Sequence, residues 1–189
     1  MRFASLEVLE VSLPRFAATE AILIQRDRGA LEEDTSAIWA DDPPRAITLE
    51  LVRHIGTITS RKVASSPWPF REPAAARLEL RIEDLTADPN GTLRMSGQYF
   101  VATEDGVGDR AHRFSLSEPW QTAGGLRSLA EARARMVARL AGEDLGQLLL
   151  PIARDAGDAK DLALAHRERD ILQCQKSFIA AGGEVLRCE

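Results

Sequence analysis

From Arg77 the chain alternates strictly, with Leu78, Leu80 and Ile82 on one side and Arg77, Glu79, Arg81 and Glu83 on the other. A period of two belongs to an extended strand, and this run predicts a sheet with one face on a core and one in water. Asp88-Pro89-Asn90-Gly91 supplies hairpin chemistry, and Leu93, Met95, Tyr99 and Val101 continue in phase as an antiparallel partner. Asn90-Gly91-Thr92 also fits the N-glycosylation pattern, but a tight turn accounts for Asn-Gly without it.

Nearer the start, Leu6 and Val8 share one face before the apolar phase shifts to Leu9, Val11 and Leu13, which predicts a bulge. Pro14 ends that strand. Ala21 to Gln25 reads as a buried strand, and Asp27-Arg28-Gly29 as a turn before Ala30 to Glu33. Asp41-Asp42-Pro43-Pro44 opens a helix with an Asp cap and proline in the first turn, and Ile47, Leu51, Ile55 and Ile58 mark its apolar face. Gly56 and the Thr, Ser and Arg residues after it are expected to end the helix. Ser65 to Pro73 reads as loop, because prolines at 67, 69 and 73 deny both helix and central strand.

After the Gly106-Val107-Gly108-Asp109 turn a short strand is expected around His112 to Leu116. A long amphipathic helix follows from about Leu126, its stripe running through Leu129, Met136, Val137, Leu140, Leu145, Leu148, Leu149 and Ile152. Pro151 and Gly157 end it. Asp158 opens a more polar helix to about Lys176. The resulting expectation is an α/β fold: a mixed sheet with an antiparallel hairpin, two main helices packed on it, and a C-terminal helical tail. Residues 1–157 form the domain and 158–189 an extension.

The composition permits one core of this size: 189 residues with 44% apolar and 28% charged side chains. The net charge of −5 comes from 29 acidic and 24 basic residues with no block of like charge. Nucleic-acid binding, which needs clustered cations, is therefore not expected. No window approaches the ~18 consecutive apolar residues of a transmembrane helix. Cys174 and Cys188 both lie near the end, with the Gly182-Gly183 turn between them. A disulfide there would add on the order of 3 kcal/mol and point to an oxidising compartment; two unrelated thiols are the alternative.

Motifs for catalysis are missing. Neither the Walker A nor the dinucleotide glycine pattern occurs, and Gly106-Val107-Gly108 lacks the following glycine and helix. His54, His112 and His166 belong to different elements, so no metal site is expected. Neither Gly-x-Ser-x-Gly nor Ser-x-x-Lys is present. Glu32-Glu33 and Asp41-Asp42 are sequence neighbours whose side chains diverge, suiting a turn and a helix cap better than acid–base chemistry. No catalytic residue, cofactor or metal is assigned. What remains are aromatics in or beside loops. Trp39, just before a helix, suits a hydrophobic staple, whereas Trp68, Phe70 and Trp120 are candidates for an interaction surface, with core filling as the alternative.

Taken in order, these features resemble the ABC-type transport auxiliary lipoproteins, the family that includes paraquat-inducible protein C. The resemblance begins at Ser12-Leu13-Pro14-Arg15-Phe16 and Ala21-Ile22-Leu23-Ile24-Gln25-Arg26, and is most specific at Ile38-Trp39-Ala40-Asp41-Asp42-Pro43-Pro44-Arg45-Ala46-Ile47. Pro67-Trp68-Pro69, the 78–82 strand, the hairpin to Tyr99 and the long helix follow in the family's order. It covers about residues 5–153; Ala17-Ala18-Thr19 replace the family's Asp-Arg-Pro, and the tail has no counterpart.

The resemblance implies a non-catalytic auxiliary component of an ABC/MCE-type system moving lipids or hydrophobic compounds across the cell envelope. It implies a periplasmic location, outer-membrane attachment through a lipid-modified cysteine that follows a signal peptide, an MCE-type or permease partner, and a homo-oligomer. The first rival is a periplasmic lipid or small-molecule binding module with a pocket between sheet and long helix. The second is a hydrolase whose site is assembled from distant residues.

Overall fold

The alternating run from Arg77 lies in a strand of 13 residues, Ala76–Asp88 (β5), around which the sheet is built. The computed structural model describes residues 4–26, 29–104, 106 and 109–145, and the backbone of 178–180. Thr92–Thr103 (β6) pairs antiparallel with β5 along its whole length, and Arg110–Pro119 (β7) pairs antiparallel with β6. The opposite edge of β5 is shared. Ser5–Val8 (β1) lies parallel to its start at Ala76–Leu78, and Ala21–Gln25 (β2) parallel to its end at Ala87. Outside β1 lies Lys62–Ser65 (β4), parallel; outside β2 lies Leu31–Trp39 (β3), antiparallel.

The phase shift near Leu9 marks a real break. β1 stops at Val8, yet the chain continues along β5, with Leu9 N–H donating to Leu78 O at 2.9 Å and Ser12 N–H to Leu80 O at 3.0 Å. Between these contacts Val11 turns inward and is buried. The hairpin follows its sequence. The Asp88 carboxylate accepts Asn90 N–H at 2.8 Å, and Gly91 takes φ 85°, a conformation that favours glycine. Opposite the bulge between Ile82 and Asp84 sits Gly97, where a Cβ would lie 2.9 Å from Ile82 Cα and closer still to the Arg81 carbonyl oxygen.

Asp42 caps the helix Pro43–Thr59 (α1), accepting Arg45 N–H at 3.1 Å. Ile47, Leu51 and Ile55 are fully buried, but Ile58 is 36% exposed. The helix runs through Gly56 and ends instead at Ser60, in the left-handed conformation at φ 52°. Gly56 is retained in the helix, with the Val63 side chain of β4 next to it. The second helix, Gly125–Arg139 (α2), buries Leu129, Ala132, Met136 and Val137 and then widens into a π-helical turn, Leu140–Leu145. The expected stripe thus continues through Leu145 in a different pitch; residues 146–152 lie outside the described residues.

Both helices join one core with Leu6, Val8, Leu78, Leu80, Ile82, Met95 and Tyr99 of the sheet. The architecture is α/β with a mixed sheet and two packed helices. Four strands depart from expectation. β3 runs on to Trp39 despite its acidic, largely exposed residues, β4 occupies a stretch with one large apolar side chain, and β7 is longer than His112 to Leu116. Phe178–Ala180 (β8) adds an antiparallel edge to β3 at Ala37–Trp39, a strand within the extension expected to be helix and loop. The helix expected over 158–176, and Cys174 and Cys188, lie outside the described residues.

Candidate functional site

Where β2, β3, α1 and α2 meet, an apolar cleft opens between Phe16, Ala17, Leu23, Leu85, Leu93 and Leu129, with Trp39 and Arg133 also on its wall. Arg133 is the exception to that lining. Its side chain is 95% buried, since only 5% is exposed, and the guanidinium carbon stacks 4.1 Å from the centre of the Trp39 ring. Its Nη2 lies 3.7 Å from Glu50 Oε1 on α1, and that carboxylate is buried too. Arg133 Nε has no hydrogen-bond partner among the described residues. The ring thus shields a pair of charges that join the helices, so Trp39 acts within the fold.

The cleft is shallow: its cavity volume is about 50 Å³. Small-molecule sites usually occupy ~300–1,000 Å³. The cleft lies where the rival pocket is expected, between sheet and long helix, and among the described residues its enclosed volume is below that of such a site.

Sequence alone did not single out Glu50 and Arg133. Their positions carry the signal: Glu50 falls between Ile47 and Leu51, and Arg133 between Leu129 and Met136, so both charges stand in apolar stripes. Charges in such stripes on two helices ask for each other.

The candidate surface aromatics separate. Phe70 is 49% exposed and meets Trp68 edge-to-face at 4.9 Å between ring centres. The half-buried Trp68 donates its indole N–H to Glu72 O at 2.7 Å, closing the proline-rich loop on itself. Trp120 does not join them. Because β7 extends to Pro119, Trp120 arrives over the hairpin turn, where its backbone N–H donates to Gly91 O at 2.8 Å and the residue is only 7% exposed. It belongs to the core and not to the candidate surface, because the hairpin turn covers it.

Among the described residues, two groups are shifted from their ordinary values. Hydrogen bonds from the Ser36 hydroxyl and amide hold the Asp34 carboxyl below the usual carboxylate range. The hydrogen bond to Glu118 raises Arg139. Among the described residues, no three His, Cys, Asp or Glu side chains are placed to hold a metal ion. His112 stacks on Tyr99 at 5.8 Å, across the strand pair that aligns the two residues. No helix among the described residues is long and apolar enough to cross a membrane.

Comparison with known proteins bears on this arrangement. Residues 2–143 match the family model described as the ABC-type transport auxiliary lipoprotein component. Comparison with the curated proteins finds no match. Among solved structures, the crystal structure of an uncharacterized protein is similar with a TM-score of 0.66 and 15% identity, covering 76% of this chain and 90% of that one. Protein XCC0632 from Xanthomonas campestris is similar with a TM-score of 0.63, also at 15% identity, over 77% of this chain and 83% of its own. At such identities these two likenesses speak for the fold alone.

Proposed function

The chain belongs to the family of ABC-type transport auxiliary lipoprotein components, and from that premise we propose a non-catalytic auxiliary role in an ABC/MCE-type system that moves lipids or other hydrophobic compounds across the cell envelope. In this reading it works in the periplasm, held to the outer membrane by an N-terminal lipid. It docks an MCE-type or permease component and assembles with further copies of itself. The supporting observation is the cavity of about 50 Å³, which favours a protein that acts through its surface over one that carries cargo.

The test is purification of the full-length lipoprotein in detergent from its own cells, followed by mass spectrometry. A permease or MCE subunit recovered in fixed ratio, with no lipid retained by the auxiliary chain, is the expected result. A retained lipid without a transporter subunit would instead favour the binding-module reading, to which the apolar lining of the cleft lends its support.

The Cys174–Cys188 disulfide and the role of residues 158–189 as an extension belong to the same proposal. Alkylation without reductant should leave both thiols unlabelled; labelling of both would remove that argument for an oxidising compartment.

A further inference from the structure

Residues 60–73 carry Arg61, Lys62 and Arg71 against one acidic residue, Glu72, a local charge of +2 (three minus one) in a chain of net charge −5. All three cations are exposed. None is engaged in an ion pair among the described residues. Phe70, next to Arg71 in sequence, is 49% exposed, with Lys62 Nζ 5.8 Å from its ring centre.

The loop holds that ring outward. The indole hydrogen bond from Trp68 to Glu72 O spans Phe70, and Pro67, Pro69 and Pro73 restrict the backbone around it. An apolar ring presented in this way costs little further ordering when it is buried by a partner.

The chemistry of the patch selects the partner. The Trp68 N–H is already satisfied inside the loop and phenylalanine has no polar handle, so the apolar knob offers no directional hydrogen bond to fix a structured partner in register. Three prolines also remove three backbone N–H donors, which lowers the cost of entering an apolar boundary. Non-directional apolar contact beside exposed cations complements an anionic lipid surface.

We infer that the 66–72 loop is a shallow membrane-contact element, which seats Phe70 at the headgroup–acyl boundary while Arg61, Lys62 and Arg71 meet lipid phosphates. This contact is a property of the folded domain, separate from any N-terminal lipid and independent of transporter docking.

Vesicle co-sedimentation of the non-lipidated chain tests it, using phosphatidylcholine vesicles with and without phosphatidylglycerol. Binding is expected to need phosphatidylglycerol and to weaken with added salt. Phe70→Ala should lower partitioning about fivefold, the effect of losing a half-exposed phenyl group. Lys62→Gln should lower it by a similar factor of about five. Leu49→Ser removes an apolar side chain 38% exposed elsewhere, on α1, and should leave binding unchanged; circular dichroism checks that each variant is folded. Absence of binding by the unaltered chain, unchanged binding by Phe70→Ala, or an equal loss in Leu49→Ser would each overturn the inference.

Discussion

The Val11 amide donates to the Thr48 hydroxyl at 2.9 Å, joining a break in the sheet's edge to the first turns of α1. The break turns this N–H away from β5, and the buried donor is satisfied by a helix side chain that itself donates to Pro44 O at 2.7 Å. Thr48→Val keeps the shape and removes the acceptor. It should cost about 1–3 kcal/mol, the penalty of an orphaned buried donor, whereas Thr48→Ser should retain most of the stability. Urea unfolding of the two variants distinguishes them.

Glu50 and Arg133 are buried together, and removing Arg133 takes a buried cation from beside the Glu50 carboxylate. Arg133→Met should destabilise by about 3–5 kcal/mol. The double variant Glu50→Leu with Arg133→Met should recover most of that loss, because two apolar side chains need no partner. A double-mutant cycle measured by chemical denaturation reads the coupling; equal loss in single and double variants would contradict it.

Gly97 is required by the close approach of the bulged strand. Gly97→Ala should destabilise by about 2 kcal/mol or more, since the added methyl group must displace backbone. Gly106→Ala, where a Cβ meets nothing within 4 Å among the described residues but φ is 66°, should cost less, about 1 kcal/mol. Thermal melts of both variants give the order.

Asp34 supplies a pH dependence of known sign. Its carboxyl is lowered in the folded chain, so the folded state releases this proton more readily than the unfolded state. Its contribution to stability is complete above the unfolded value of about 3.9 and is lost as pH falls through the lower folded value. Carbon NMR titration of Asp34 should place its midpoint below that of an unstructured peptide, and Ser36→Ala should move it back up.

The parts of the fold legible in sequence are those where one local signal sufficed. Leu78, Leu80 and Ile82 announce their strand by period, Asp88 to Gly91 by turn chemistry, and Asp42 with its prolines by capping. β4 and β8 were not legible because Lys62–Ser65 and Phe178–Ala180 are short, and their pairing with β1 and β3 comes from elsewhere in the chain. Trp120 illustrates the same limit: its burial depends on where β7 ends and on Gly91 across the hairpin. The site divides likewise. Trp68 and Phe70 stand out through their prolines, while Glu50 and Arg133 acquire meaning only when two helices face each other.

The placement of β1 between β4 and β5, parallel to both, has a mechanical consequence. A pull on the N-terminal end of this strand runs along its axis, so hydrogen bonds on both flanks are loaded together in shear and not opened one at a time as in a zipper. Under the proposed N-terminal lipid tether, β1 is an anchor point set inside the sheet, and tension from the membrane is distributed into β5 before it reaches the helices.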